Sequence, residues 1–234
     1  VIPNASITRV FGIVPAAGRG RRMGMPKQTL PFRGSTMVGR VVRTLLDAGL
    51  NAVVVVTQSE LVARLELPKD KRVFLAVNDD AASQMIASIR IGLSTLFDDG
   101  AVPDDSDRGE LGPVASVADC AGILVVPGDM PGLAVETCRR CAETYRREPT
   151  KIIVAAHNGR RGHPLIFPAA LRQVVHQLAG GLNALLDLHP DRVCLVATGD
   201  PAVLEDVDTW DQYRSLTSVP PEDLMPPVDK RATR

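Results

Sequence analysis

Short runs of β-branched and other apolar residues recur along the chain at positions 10–14, 52–57, 72–77, 122–126, 151–155 and 192–197. Continuous apolar runs of this length, separated by helical patterns, are the signature of strands covered on both faces of a mostly parallel sheet. Between them, positions 37–48, 59–65, 83–97 and 133–147 space their apolar residues three and four apart, as amphipathic helices do. The alternation predicts a three-layer α/β/α chain built on one mostly parallel sheet. Residues 1–216 are expected to form a single domain. Positions 98–116 break the pattern: five aspartates (98, 99, 104, 105 and 107) sit among Pro103, Gly109, Gly112 and Pro113, which reads as a mobile surface insertion. With Pro220, Pro221, Pro226 and Pro227 in it, the segment 217–234 is expected to be a flexible tail.

Composition narrows the function. The 27 basic residues balance 27 acidic ones, so no overall field holds nucleic acid, and any anion site must be local. Aromatic residues are only 3% of the chain, which disfavours a base-stacking platform for single strands. No apolar run approaches the length of a membrane span, the run 121–126 being cut off by Pro127 and Gly128. Four cysteines, Cys120, Cys138, Cys141 and Cys194, with no cationic and apolar leader, give the expectation of a cytoplasmic protein. Cys138 and Cys141 lie on an expected helix with no second pair to complete a zinc site.

The most informative segment follows the first expected strand: Pro15-Ala16-Ala17-Gly18-Arg19-Gly20-Arg21-Arg22-Met23-Gly24-Met25-Pro26-Lys27. Small residues at the carboxyl end of a strand let backbone N–H groups approach phosphate oxygens, and Arg19, Arg21, Arg22 and Lys27 supply cations in an otherwise neutral chain. A polyphosphate suits such a loop. Gly18, Gly20 and Gly24 give G-x-G-x-x-x-G, which departs from the dinucleotide fingerprint, and no glycine directly precedes Lys27 as a P-loop requires.

A later strand ends in Pro127-Gly128-Asp129-Met130-Pro131, and a second carboxylate group, Glu205-Asp206-Val207-Asp208-Thr209, precedes a short closing helix. Hard divalent cations such as Mg²⁺ take one or two carboxylates together with phosphate oxygens, which suits a strand-end aspartate facing the cationic loop. Capping of the following helix is the competing role for Asp129 and, at the later segment, for Asp208 or Thr209. Arg160-Arg161-Gly162-His163-Pro164 is placed in a loop after the strand at 151–155, where a lone histidine such as His163 reads, on the residues alone, as a plain hydrogen-bonding group. His157, His176 and His189 receive no role.

Taken together, Ala16-Ala17-Gly18-x-Gly20-x-Arg22-Met23-Gly24-x-Pro26-Lys27-Gln28-x-Leu30 resembles the signature loop of the nucleotidyltransferases that attach a nucleotide to molybdopterin. Further blocks in the same order extend the resemblance over most of residues 10–214. It implies a nucleotidyltransferase fold of the GT-A-like, Rossmann-like type, in which Ala16, Ala17, Gly18, Arg19, Gly20, Arg22, Lys27, Asn78 and Ser88 border a nucleoside triphosphate. It further implies that Arg22, Lys27 and Asp129 carry catalysis, and that Asp129 with Asp208, or else Asp206, holds Mg²⁺. Gly162, His163 and Pro164 would face the acceptor. The Pro-Ala-Ala-Gly opening resembles the cytidylyl-transferring branch, which makes CTP the first expectation and GTP the second, with a molybdenum hydroxylase as the client. Met130 stands where relatives carry Gln, Gln84 and Ile86 where they often carry glycine, and 179–183 differs from their Gly-Asp segment. The resemblance leaves a guanylyltransferase, a sugar-phosphate nucleotidyltransferase, an NAD(P)H-dependent oxidoreductase of the nicotine-blue type and a molybdenum-cofactor chaperone as alternatives.

Overall fold

The computed structural model describes residues 8–97, apart from 19, 21, 81 and 83, and residues 121–217. The insertion expected at 98–116 and the tail expected at 217–234 lie outside the described residues, except for Thr217, which ends a helix instead of opening the tail.

A seven-stranded sheet forms the middle layer. Its strands are β1 (Val10–Pro15), β4 (Ala52–Thr57), β5 (Val73–Val77), β6 (Gly122–Val125), β7 (Ile152–His157), β8 (Arg160–Pro168) and β9 (Val193–Ala197), in the spatial order β5-β4-β1-β6-β8-β7-β9. A two-stranded hairpin, β2 (Pro31–Phe32) and β3 (Ser35–Thr36), stands apart. All large-sheet pairings are parallel except those of β8, which runs antiparallel to both β6 and β7. The six strands expected from the apolar runs are all present within two residues of their expected ends. The central strands β1, β4 and β6 are buried along their whole length, which is why their sequences show no alternation.

Helices cover both faces. On one face, α1 (Met37–Asp47) and α3 (Val135–Arg147) set Val38, Val41, Leu45, Cys138, Cys141 and Tyr145 against Val14, Val53 and Leu124. On the other face lie α2 (Met85–Phe97), α4 (Arg172–Gln177) and α5 (Asn183–Leu188), with Ile89, Leu93, Val175 and Leu185 against Ile13, Val54 and Phe167. Both cysteines of α3 are core residues. Burial raises the pKa of Cys138 and pushes that of Cys141 up to about 12, so neither is a thiolate nucleophile near neutral pH.

A third, smaller core decides where the site lies. Met23, Leu30, Phe32 and Met37 pack with Val207 and Tyr213, the latter in the closing helix α6 (Trp210–Thr217). The Tyr213 hydroxyl donates to Pro31 O. The segment after the glycine-rich loop is thereby fastened to the acidic segment near the end of the described chain.

Two expectations are corrected. Residues 59–65 form a 3₁₀ helix, Ser59–Arg64, rather than an α-helix, with Leu61 as its one buried side chain. Arg160, Arg161, Gly162, His163 and Pro164 do not lie in a loop but begin β8, the antiparallel strand between β6 and β7. Proline lacks the N–H a ladder needs, and Pro164 falls in the stretch where the β7–β8 register shifts, between the pairs Ala156–Arg161 and Val154–Leu165. The irregularity lets Gly162 and Pro164 occur inside a strand.

Candidate functional site

Because β1, β4, β5, β6 and β7 all point the same way, their carboxyl ends share one edge, and the reversed β8 brings its first residues to that same edge. The chain order reverses at β1, flanked by β4 and β6, and ligands in open α/β sheets bind beyond the strand ends at such a switch point. Both the glycine-rich loop after β1 and Asp129 after β6 emerge there. Gly128 N donates to Pro15 O at 3.0 Å, which keeps the two segments side by side.

Three carboxylates converge. Asp129, Asp206 and Asp208 each present an oxygen, and these atoms lie within 4.8 Å of one another. Val207 N donates to Asp129 O at 2.9 Å, so a backbone bond draws the two acidic segments together. Lys27 Nζ lies 2.7 Å from Asp129 Oδ2 and also donates to Asp208 Oδ1. Arg22 Nη1 donates to Asp208 Oδ2 at 2.7 Å from the solvent side. Burial by itself would lower the Lys27 pKa; Asp129 and Asp208 outweigh it, and the ammonium is held above its ordinary value. The hydrogen bond from Lys27, aided by the Lys27 and Arg22 charges, holds Asp208 below the usual carboxylate range.

Neither aspartate is taken up with capping. The amide of Ala134 and the hydroxyl of Thr137, at the start of α3, both donate to Asp200 Oδ2, so Asp200 caps that helix. At α6, Thr209 Oγ1 accepts from Gln212 N while Gln212 Oε1 accepts from Thr209 N and Asp208 N, a reciprocal capping box that leaves the Asp208 carboxylate free to face Lys27.

Two clefts meet at Asp129. The inner one, about 140 Å³, is lined by Ala16, Ala17, Gly18, Lys27, Gln84 and Ser88, among others. The outer one, about 520 Å³, has Arg160, Arg161, Gly162, His163 and Asp206 on its polar side and Ile86, Leu165, Leu182 and Leu186 on its apolar side. Met85, Pro127 and Asp129 line both.

The residues singled out in the sequence are therefore largely brought together, in two groups. Ala16, Ala17, Gly18, Lys27 and Ser88 border the inner cleft, while Gly162 and His163 border the outer one. Arg22 stands at the rim on Asp208. Asn78 is buried behind the wall and donates to Ser88 Oγ at 2.9 Å. Pro164 is buried in β8 and lines neither cleft. Gly20 adopts φ +58°, and a Cβ there would lie 2.0 Å from Met25 O, so it shapes the loop from within. Arg19 lies outside the described residues.

His163 Nδ1 is 3.3 Å from Val125 O, and burial holds its pKa below the ordinary histidine value although that carbonyl opposes the shift. A carbonyl only accepts, so the neutral ring carries its proton on Nδ1 and leaves Nε2 as an acceptor. Gly162 brings β8 close to the 3₁₀ turn Pro201–Leu204, where a Cβ would stand 2.0 Å from Val203 O.

Sequence reasoning gave no role to Gln28 and Gln58, both buried with their amides on the glycine-rich loop. Gln28 was visible within the motif, but nothing in the spacing reveals which way its side chain turns. Asp200 was missed because Ala134, the residue before its capped helix, lies 66 residues earlier.

The comparisons agree with this architecture. Residues 12–198 match the model of the MobA-like NTP transferase domain. The chain is 33% identical over 219 residues to nicotine blue oxidoreductase of Paenarthrobacter nicotinovorans, covering 88% of this chain and 96% of that protein. It is 25% identical over 189 residues to a probable molybdenum cofactor guanylyltransferase of Rhodopirellula baltica, covering 76% of each. Among solved structures, that of Rv0371c in complex with manganese, from Mycobacterium tuberculosis H37Rv, superposes with a TM-score of 0.65 at 28% identity, covering 91% of this chain and 100% of that one. With the family model spanning the glycine-rich loop, Asp129 and β8, and the sheet order built around the β1 switch point, the chain belongs to the MobA-like NTP transferase family of nucleotidyltransferases.

Proposed function

We propose that this protein transfers a nucleoside monophosphate, CMP from CTP in the first instance, to the terminal phosphate of a molybdopterin-type acceptor and releases pyrophosphate. The observation that carries the reading is the meeting of Lys27 with Asp129 and Asp208 at the junction of the two clefts. An oxygen of the acceptor phosphate attacks the α-phosphorus, the bond from that phosphorus to the β-phosphate oxygen breaks, and pyrophosphate leaves. The chemistry is alignment and charge neutralisation, for which no nucleophilic side chain is needed.

The nucleotide is assigned to the inner cleft, where Lys27 and, from the rim, Arg22 offset triphosphate charge. The acceptor is assigned to the outer cleft: Arg160 and Arg161 suit its anionic end, and the wall of Ile86, Leu165, Leu182 and Leu186 suits a flat heterocyclic body. His163 Nε2 is placed to accept a hydrogen bond or a proton from an acceptor seated there.

Asp129, Asp208 and Asp206 fit a hard divalent ion. Octahedral Mg²⁺ at about 2.1 Å from its ligands sets neighbouring oxygens roughly 3.0 Å and opposite ones roughly 4.2 Å apart, compatible with the observed cluster. Asp129 Oδ1 is moreover buried with no hydrogen-bond partner among the described residues, a situation a cation relieves. Bound there, Mg²⁺ supplies neutralisation of the charge that builds on the transferred and departing phosphates.

The loop opening at Pro15 supports CTP, whereas the relatives named probable molybdenum cofactor guanylyltransferases support GTP. Pyrophosphate release measured with CTP, GTP and UTP and purified molybdopterin tests this, CTP being the expected substrate and a molybdenum hydroxylase the expected client. Faster turnover of GTP replaces the base and keeps the reaction. A second reading, NAD(P)H-dependent reduction of a heterocyclic dye, is favoured by the 33% identity to nicotine blue oxidoreductase. Against it, among the described residues no α-helix begins directly after the loop to receive a dinucleotide pyrophosphate, only the single 3₁₀ turn Lys27–Thr29, and α1 starts at Met37. NAD(P)H oxidation without pyrophosphate release from any nucleotide would decide for it.

A further inference from the structure

The glycine-rich loop presents carbonyl oxygens as well as N–H groups, and a carbonyl turned toward a triphosphate would repel it. Three consecutive carbonyls are held by buried side chains from other parts of the chain. Gln28 Nε2 donates to Ala16 O and to Gly18 O, each at 2.8 Å, and Gln58 Nε2 donates to Ala17 O at 2.6 Å. Gln28 belongs to the 3₁₀ turn Lys27–Thr29 and Gln58 follows β4, so the loop is gripped from two sides. These two residues are 3% and 5% exposed, and burying a carboxamide is unfavourable unless its groups are used. Ala16 N is already bonded to Val56 O, whereas the N–H groups of Ala17 and Gly18 have no partner among the described residues, and both residues line the inner cleft.

We infer that Gln28 and Gln58 are positioning residues for the nucleotide: by holding the Ala16, Ala17 and Gly18 carbonyls, they keep those oxygens from turning onto the phosphate chain and leave the free amides available to it. The inference rests on the assignment of the inner cleft to a triphosphate. Gln28 has a further effect, because fixing its side chain against the loop also fixes the backbone of the adjacent Lys27. Neither glutamine needs to touch the reacting atoms.

The test is the affinity for inorganic tripolyphosphate together with the nucleotide KM and kcat, for the full chain and for Gln28→Met and Gln58→Met, which keep size and remove the donors. Lys27→Met serves as the variant that loses a phosphate charge directly. Thr137→Val serves as a structural control, since it removes a buried hydroxyl bond to Asp200 away from both clefts. Each glutamine variant is expected to bind tripolyphosphate at least about tenfold more weakly and to raise the KM by a similar factor, with kcat changed less than about threefold. Thr137→Val is expected to lower the melting temperature and leave both affinities in place. If wild type binds tripolyphosphate, Lys27→Met does not, and both glutamine variants bind as wild type does, the positioning role is overturned while the nucleotide assignment stands. Absence of binding by wild type itself would overturn the assignment and the inference with it. If Gln28→Met fails to fold, Gln58→Met, which holds a single carbonyl, decides.

Discussion

Replacing Asp129 by asparagine removes one charge while keeping shape, and the site geometry predicts that stability and activity will part company. The attraction between Asp129 Oδ2 and Lys27 Nζ at 2.7 Å is about 6 kcal/mol gross at an effective dielectric of about 20. Against it stand Asp208, one of whose carboxylate oxygens lies within 4.8 Å and repels Asp129 by about 3.5 kcal/mol on the same scale, and Asp206, equally near but exposed, whose repulsion solvent screens to less. Attraction and repulsion therefore nearly cancel. Partial burial of the charge, and an Oδ1 without a hydrogen-bond partner among the described residues at a cost of about 1–3 kcal/mol, tip the balance against the carboxylate. Asp129→Asn is accordingly expected to lie within about 1 kcal/mol of wild type, or to be more stable by up to about 2 kcal/mol, in urea titrations in metal-free buffer. Divalent ion reverses the ranking. At a hundred times its Kd an ion adds about 2.7 kcal/mol to a chain that binds it, a gain expected of wild type and not of the variant. Turnover of nucleotide falls at least about a hundredfold, equivalent to about 2.7 kcal/mol in the barrier. A variant destabilised by more than about 2 kcal/mol without metal, or one that keeps its activity, refutes the reasoning.

Three further outcomes can be checked with single variants or a pH series. Asp200→Ala removes the acceptor for Ala134 N, Thr137 Oγ1 and Ala202 N and is expected to cost about 1–2 kcal/mol in denaturant unfolding with kcat unchanged. Gly20→Ala forces a Cβ against Met25 O at φ +58°, so the loop must shift; a raised nucleotide KM with unaltered far-ultraviolet circular dichroism is expected. His163 has its pKa lowered by burial, so the folded chain takes up its proton less readily than the unfolded one. Its contribution is constant well above the ordinary pKa of about 6.5 and is lost progressively as pH falls from there through the folded value, and His163→Gln should flatten that part of the stability profile.

The layered fold was legible because parallel strands buried on both faces must be continuously apolar, as the run Ala52-Val-Val-Val-Val-Thr57 is. Strand β8 was not, since Gly162 and Pro164 carry turn chemistry and only a register shift against β7 makes room for them. At the site, Lys27 and Asp129 were readable as residues at the ends of the first strand and of a later one. Their meeting with Asp208 depends on a small core of Met23, Leu30, Phe32, Val207 and Tyr213, whose members are too far apart in sequence to form a pattern. The capping question at Asp129 and Asp208 was open in the sequence because an aspartate before a helix reads as a cap. Thr209 was one of the two caps the later segment offered, and the fold uses it with Gln212, whereas the cap of α3, Asp200, comes from a distant segment. Gln28 and Gln58 were hidden for a related reason: a glutamine's function depends on where its amide points.

Crystals of the chain grown with a non-hydrolysable CTP analogue and Mn²⁺ would hold the nucleotide and the ion together. That structure is the most direct measurement of the central claim, because anomalous scattering locates the ion independently of the nucleotide. The account predicts the ion on Asp129 and at least one of Asp206 and Asp208, with the triphosphate in the inner cleft beside Lys27 and the α-phosphate turned toward the cleft of His163. An ion bound away from Asp129, or a nucleotide lying where no acceptor in the outer cleft reaches its α-phosphorus, would contradict it.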